Sequence, residues 1–437
     1  MKKLMCLFLV ICMLFAGCAN TAQGSQDAEF DAQYPTVSET EPKGTEEEIL
    51  AYRRDLVEAE MRRMMSILWT PAEDITYSFL NSSAGIEEDE KTNPEYVVKL
   101  YAGRIYQGIP YAHGSSAGFS FLDYATGVDE NGVYTISGMG TEDLTGYGGS
   151  KKNQCARMGT DCADTVFWAW AQVSTSISFI GTKYMTVPYG CIKVGNYEFS
   201  GDAYNGDSTD ICDANGEQVM FASYAQMQKG DAMVMTVEGS SGHAIMNVSV
   251  HVERDAAGNI DGEKSYAIII DQSSNDERKE NTYYNEEIGK KVYVLQKLDK
   301  KRSFNKLFKQ GYMPVTCKEL LSAEALPQVQ VKDTVSEPTQ QNMFTGIVSS
   351  NYRIASVTIT ITDAQGNAVQ TATAYGQQDE MYKFSLVRFR SPLEQTVMQG
   401  KIDLNELEKG AYHCTYTCRV ATGKTVEFRS FDFEITK

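Results

Sequence analysis

Hydrophobic residues change their spacing along the chain, and each spacing predicts a different kind of structure. From about Thr45 they recur every three or four positions, which predicts a helix that ends at Trp69-Thr70-Pro71. A second such stretch, YVVKLYAGRIY at 96–106, predicts another helix. After residue 229 the period falls to two, which predicts successive strands of a largely antiparallel sheet in GDAMVMTV, HAIMNVSVHV, SYAIIID and KVYVLQ.

The alternation resumes beyond a break at 326–342, LPQVQVKDTVSEPTQQN. Turns such as DAQGN and ELEKG separate the alternating segments RIASVTITITDA, KFSLVRF, AYHCTYTCRV and VEFRSFDFEITK. Short alternating strands over about 100 residues are typical of an immunoglobulin-like sandwich. We therefore expect an α+β protein with one domain at 45–325, a linker at 326–342 and an all-β sandwich at 343–437.

The first eighteen residues, MKKLMCLFLVICMLFAGC, have the layout of a secretory signal and are too short to span a bilayer. Cys18 follows small residues, as in a bacterial lipoprotein cleavage box, where the cysteine is lipidated. A simple signal peptide with a chance cysteine is the alternative. We expect 19–44, which is polar, to be a flexible tether and the protein to be extracytoplasmic, anchored to the membrane by lipid.

Charge and cysteine content narrow the classes of partner. The formal net charge is −18, which would repel a phosphate backbone, so we expect no nucleic-acid partner. The ten cysteines are sparse, lack a CxxC pair and accompany only four histidines. This pattern predicts neither a disulfide scaffold nor a metal site, and nothing in it calls for a cofactor.

A candidate nucleophile lies in GTDCADTVFWAWAQV at 159–173. Asp161 is a plausible N-cap, and Asp164 is placed to reach back as in a capping box. Cys162 would then lie in the first turn of a helix, where free N–H groups and the helix dipole favour a thiolate. A helix that only needs a small residue at this position would have the same sequence.

A thiolate nucleophile needs a base, and the chain offers four histidines: His113, His243, His251 and His413. His243 opens the strand HAIMNVSVHV on the face opposite to its apolar residues. His251 lies ~26 Å further along that strand, too far to share the site, and His413 belongs to the C-terminal sandwich. His113, in a glycine-rich loop, remains a second candidate.

The base needs a group that orients it. The strand SYAIIID returns antiparallel to HAIMNVSVHV and brings Asp271 and Gln272 beside His243. An amide would hold the imidazole by a hydrogen bond, whereas a carboxylate would also stabilise imidazolium. The two residues lie on opposite faces, and the alternation does not choose between them because the register is unknown.

The order of these motifs resembles that of the NlpC-type cell-wall peptidases, a bacterial branch of the papain-like cysteine peptidases. The matching stretches are GIPYAHG (108–114), TDCADTVFWAW (160–170), QKGDAMVM (228–235), SGHAIMNV (241–248) and IIIDQ (268–272). The resemblance implies that Cys162 is the nucleophile, His243 the base and Gln272 the third residue, with Asp271 as the alternative. It also implies that Tyr111 and Asp161 support the oxyanion or the substrate.

By this resemblance we expect a papain-like domain that cleaves amide bonds in the peptide part of peptidoglycan, without metal or cofactor. The chain departs from the family pattern at Ala163, where serine is usual, and at His113-Gly114, and it has long insertions on either side of Cys162. These insertions motivate a first alternative, a thiol amidase or acyl transferase with a non-wall substrate. A second alternative is a non-enzymatic surface-binding lipoprotein.

Overall fold

A computed structural model describes residues 41–78, 91–92, 94–111, 121–137, 159–175, 177, 181–182, 185–186, 191–199, 206–238, 242–274, 280–335, 344–375, 382–386, 389 and 398–436. The chain from Thr36 to Lys437 forms one compact unit. The predicted signal peptide with Cys18, most of the predicted tether, and His113 lie outside the described residues. Within them, no helix has both the length and the apolar character needed to cross a membrane.

Helices in the described part of the chain include α1 (Glu46–Ser66), α2 (Cys162–Trp170), α3 (Ser208–Asn215), α4 (Glu217–Tyr224) and α5 (Phe304–Lys309). The predicted first helix is confirmed, and a capping box starts it: the Thr45 hydroxyl accepts from the Glu48 N–H, while the Glu48 carboxylate accepts from the Thr45 N–H. The helix ends at Ser66, and the Trp-Thr-Pro segment that follows belongs to a strand.

The strands, in chain order, are β1 (Leu68–Pro71), β2 (Ile75–Ser78), β3 (Val97–Leu100), β4 (Ile105–Gln107), β5 (Ala125–Val128), β6 (Tyr134–Ile136), β7 (Ile192–Lys193), β8 (Ala232–Met235), β9 (His243–His251), β10 (Tyr266–Ile270), β11 (Asn281–Asn285), β12 (Lys290–Val294), β13 (Lys300–Ser303), β14 (Met313–Thr316), β15 (Val331–Asp333), β16 (Ile347–Ser350), β17 (Ile354–Asp363), β18 (Ala368–Tyr375), β19 (Lys383–Ser385), β20 (Met398–Gly400), β21 (Gly410–Val420) and β22 (Thr425–Ile435).

The first sheet has the order β11-β12-β4-β1-β6-β5, so two segments distant in sequence build it. Two predictions are corrected here. The stretch 96–106 is not a helix but contains β3 and β4, because β-branched Val97 and Val98 favour a strand and Gly103, at φ 77°, turns the chain. KVYVLQ forms β12, which pairs in parallel with β4 and does not join the sheet of β8, β9 and β10.

The central sheet has the order β13-β10-β9-β8-β14-β7, and all its neighbours are antiparallel. This confirms the predicted strands β8, β9 and β10. Four consecutive residues of β9, from Ala244 to Asn247, are buried. Both faces of the strand are therefore covered at this end, whereas the sequence predicted one apolar face. α2 packs against β9, and α4 and α5 enclose a core with β9 and β10.

The C-terminal part contains a three-stranded sheet, β15-β16-β19, and a five-stranded sheet, β20-β18-β17-β21-β22. One core joins the two sheets, with Val348 and Phe384 from the first and Val357 and Cys418 from the second. β15 lies within the segment predicted as a linker, so that part of it belongs to the sheets. Helices and mainly antiparallel sheets together make the fold α+β, as the hydrophobic pattern predicts.

Candidate active site

Cys162 is the first residue of α2, as the sequence predicts. The N-cap is Asp161, whose carboxylate accepts from the Asp164 backbone N–H at 2.8 Å. Every residue of α2 is buried, and Cys162 is 5% exposed. The thiol therefore lies at the positive end of a buried helix, beside backbone N–H groups that have no partner within the helix.

His243 opens β9, and a close approach of two strands sets its position. Gly242 precedes it, and a Cβ there would lie 1.8 Å from the carbonyl oxygen of Met235 on β8. Only glycine fits at this point, which explains the Gly-His pair in the sequence. The imidazole Nε2 of His243 lies 2.6 Å from Oδ1 of Asp271, the residue that follows β10.

Cys162 and His243 also interact with each other. Cys162 acts on the imidazole together with Asp271, and both raise the pKa of His243. Because Nε2 faces Asp271, Nδ1 is the ring nitrogen left for the sulfur. The structure thus brings together three of the residues singled out from the sequence: Cys162, His243 and Asp271.

Two cations lie on the far side of Asp271. Lys300 Nζ and Arg302 Nη2, both on β13, are each 3.3 Å from Oδ2 of Asp271. Arg302 also donates to the hydroxyl of Tyr312 at 3.1 Å. Sequence reasoning missed these residues, because the stretch KKRS does not have the alternation of a strand and its pairing with β10 is seen only in the complete fold.

The charges around the imidazole set its protonation. Burial lowers the pKa of His243, but the charges of Cys162 and Asp271 and the hydrogen bonds to both raise that pKa well above its usual range. Burial raises the pKa of Asp271, yet the charge and hydrogen bond of His243, with Lys300 and Arg302, hold it well below its usual range. The arrangement therefore favours imidazolium beside carboxylate.

Gln272 was predicted as the third catalytic residue, and the structure assigns it elsewhere. Its side-chain amide is fully buried and donates to three backbone carbonyl oxygens, those of Ile109 at 3.1 Å, Pro110 at 3.2 Å and Thr160 at 3.3 Å. The alternative, Asp271, is the residue that holds the imidazole. The side chains of these two neighbours diverge because consecutive residues of an extended chain point to opposite sides.

Tyr111 lies next to the residues that precede the nucleophile. Its backbone forms a parallel bridge with Thr160, whose N–H donates to the carbonyl of Pro110 at 3.1 Å. The predicted proximity of Tyr111 to the Cys162 segment is therefore found, and Gln272 ties both strands of this bridge together. Asp161, predicted as substrate support, serves as the helix cap.

The other histidines of the described chain have separate partners. His251 stacks on Tyr266 with ring centroids 4.9 Å apart and faces Glu253. His413 pairs with Asp432 in the C-terminal sheets. The alternative base, His113, lies outside the described residues.

Asp164 does not complete a capping box. Its Oδ1 accepts from Nη1 of Arg353 at 3.0 Å, and its Oδ2 accepts from the Thr160 hydroxyl at 3.3 Å. Arg353 lies 189 positions further along the chain, so no local pattern could reveal this contact. Burial raises the pKa of Asp164 to about 6, and the Arg353 charge opposes that rise.

The site unites a thiol at a helix start, an imidazole beside it and a carboxylate behind the imidazole, which is the arrangement that nucleophilic catalysis by cysteine needs. Comparison with known proteins gives no match to a family model, to a curated protein or to a solved structure.

Proposed function

We propose that this chain is a cysteine hydrolase with Cys162 as nucleophile, His243 as proton carrier and Asp271 as the group that orients His243. The observation that carries the proposal is the 2.6 Å hydrogen bond between His243 and Asp271, with Cys162, at the start of α2, near enough to raise the pKa of the same imidazole. A thiol that only filled space would not need a base held in this way.

The reaction would follow the path of a thiol acyl transfer. The Cys162 thiolate attacks an amide carbonyl, and the imidazolium of His243 gives its proton to the departing amine as the C–N bond breaks. Water then attacks the thioester, passing a proton to His243, and the acid leaves as the thiolate returns. The backbone N–H of Cys162, in the first turn of α2, would stabilise the oxyanion.

The proposed substrate is the peptide portion of peptidoglycan, and it rests on the likeness of the motif order to the NlpC-type peptidases. With it we propose a papain-like catalytic domain at 45–325, an immunoglobulin-like sandwich in the C-terminal sheets, and attachment of an extracytoplasmic protein to the membrane through a lipid on Cys18. The His243–Asp271 hydrogen bond and the nearby Cys162 support the chemistry, and the shared core of the two C-terminal sheets supports the sandwich.

The test is incubation of the full chain with purified wall peptides, followed by mass spectrometry for new amine ends. The Cys162→Ala variant should lose cleavage, while Cys414→Ala, which removes a buried thiol in the C-terminal sheets, should keep it. Cleavage by Cys162→Ala at the wild-type rate would overturn the assignment.

The two alternatives predict other outcomes. Fast alkylation of Cys162 without cleavage of wall peptides would favour a thiol amidase or acyl transferase with another substrate. Alkylation of Cys162 no faster than that of a model thiol would favour a non-enzymatic surface protein.

A further inference from the structure

Arg353, from the C-terminal part of the chain, reaches the first turn of the nucleophile helix. Its guanidinium is 2% exposed and bonds to the fully buried Asp164 at 3.0 Å. The same guanidinium lies over the rings of Trp168, at 4.0 Å from the centroid, and Phe167, at 4.5 Å. A planar cation that pairs with a carboxylate and stacks on rings is a contact that lysine would not reproduce.

A second contact fixes the other end of the same helix. The carbonyl of Ala421, in the turn between β21 and β22, accepts from Nε2 of Gln172 at 2.9 Å. The N–H of Ala421 donates to the carbonyl of Arg353 at 2.9 Å. Arg353 and Ala421 are therefore linked to each other, and together, as the α2 clamp, they hold α2 near its start and just beyond its end.

The charges at the helix start show why a clamp is needed there. The carboxylates of Asp161 and Asp164 lie within one turn of Cys162, and both would repel a thiolate. The Asp161 charge also raises the pKa of Asp164, in addition to the effect of burial. Arg353 offsets the charge of Asp164 in a region from which water is excluded, where an unpaired charge acts strongly.

We infer that Arg353 is a positioning residue for the proposed hydrolase: it fixes the first turn of α2 through Asp164, and it offsets the Asp164 charge that would otherwise oppose a thiolate at Cys162. The inference rests on the proposed function, since it gives Cys162 a role that needs the thiolate. By this inference, the C-terminal part of the chain acts on the active site through the side chain of Arg353.

The experiment measures the rate at which iodoacetamide alkylates Cys162 in the folded full chain between pH 5 and 9, with peptide mapping to separate Cys162 from the other thiols. The variants are Arg353→Met, Arg353→Lys and the double variant Arg353→Met with Asp164→Asn. Arg429→Met is the matched control, because Arg429 also belongs to the C-terminal part of the chain and pairs with an aspartate, Asp333, that is not in α2. Circular dichroism reports folding of each variant.

We expect Arg353→Met to slow alkylation at pH 8 by roughly tenfold, because the buried carboxyl of Asp164 loses the partner that holds it in place at the first turn of α2. Arg429→Met should match the wild type. Adding Asp164→Asn to Arg353→Met should restore most of the rate, since the buried acid that lost its partner is gone. A role in packing alone would give no such recovery.

An unchanged rate in folded Arg353→Met, or no recovery in the double variant, would overturn the inference. If Arg353→Met fails to fold, the other two variants test the inference. A normal alkylation rate in the double variant together with a slowed rate in Arg353→Lys supports it. Any other pair of results overturns it. The proposed function is tested separately, by measuring cleavage of wall peptides. If wall peptides are cleaved at the same rate with and without Arg353, only this inference is wrong.

Discussion

Asp271 and Gln272 are neighbours in the chain, yet their side chains serve different parts of the site. Asp271 accepts from the imidazole of His243, whereas Gln272 donates to the backbone carbonyls of Ile109, Pro110 and Thr160. Asp271 holds the imidazole of His243, and Gln272 joins the Tyr111 segment to the segment that leads into Cys162. This division gives separate predictions for the two positions.

Replacing Asp271 with Asn should lower kcat by about a hundredfold or more, because an amide holds the imidazole but does not stabilise imidazolium. KM should change much less, since Asp271 lies behind the base. Steady-state kinetics on the cleaved wall peptide measures both. A kcat within a few-fold of the wild type would contradict the role given to Asp271, and Asp432→Asn, which alters an exposed His–Asp pair, is the control.

Activity should fall on the alkaline side only at a pH well above 6.5, which is the ordinary pKa of histidine. The pKa of His243 is raised because Cys162 and Asp271 outweigh the effect of burial. The stability that protonated His243 contributes is complete below about pH 6.5 and is lost as the pH rises through its higher value in the folded state. In Asp271→Asn the alkaline limb should move to lower pH, and an unmoved limb would show that Asp271 does not set the charge of His243.

Gln272→Ala should reduce the free energy of unfolding by about 1–3 kcal/mol, because three buried carbonyls lose their shared donor. Gln272→Glu should be more harmful, since a carboxylate would face three carbonyl oxygens. Urea denaturation measures both variants, with Gln226→Glu as control because Gln226 bonds only within its own turn at the surface. If Gln272 instead oriented His243, glutamate would sustain activity, so an active Gln272→Glu would contradict this role.

Asp164 should make stability fall as the pH rises. Its pKa is raised from 3.8 to about 6, chiefly by burial, while Arg353 and the Thr160 hydroxyl lower it and Asp161 raises it. A raised carboxyl pKa gives stability that is complete below about pH 4 and is lost as the pH passes 6. The unfolding free energy of wild type minus that of Asp164→Asn should therefore fall between pH 4 and 7, by up to about 3 kcal/mol. A flat or rising difference would contradict this.

Cys191 and Cys317 should form a disulfide when the chain refolds with oxidised glutathione. β7 and β14 are antiparallel with Thr316 opposite Ile192, so the next step of this register sets Cys317 opposite Cys191. Both thiols are buried, and exchange with glutathione disulfide would release two reduced glutathiones. Mass spectrometry should find a chain lighter by two hydrogens, and Cys191→Ala should prevent the change. Mapping of the bond to another pair would refute the prediction.

Local patterns predict the parts of the site that local forces build. Thr45 with Glu48, and Asp161 before Cys162, mark the two helix starts because capping involves neighbouring residues. The antiparallel return of β10 beside β9 brings the Asp271–Gln272 segment back toward His243, as the sequence predicts, and Asp271 contacts its imidazole. The prediction of a helix at 96–106 is wrong because Gly103 allows a tight turn between two strands, and periodicity alone does not reveal such a turn.

The choice between Asp271 and Gln272 could not be predicted because it depends on a β-bulge. The register of β10 on β9 shifts between Ile268 and Ile269, and one extra residue reverses the face on which every later side chain lies. The contacts of Arg353 with Asp164 and of Lys300 with Asp271 were equally hidden, since they join residues that only the complete fold brings together.

Strand pairing in the first sheet constrains the order in which parts of this chain can fold. β4, at Ile105–Gln107, pairs in parallel with β12, at Lys290–Val294, so a central part of the sheet is finished only after almost three hundred residues have emerged. Until then the backbone of β4 presents an open edge to which another chain could add a strand. A contact of such long range also slows folding, because a large loop must close before the pairing stabilises it. β4 therefore completes its pairing only once the β11–β12 hairpin has been synthesised, and that hairpin follows both Cys162 and His243 in the chain.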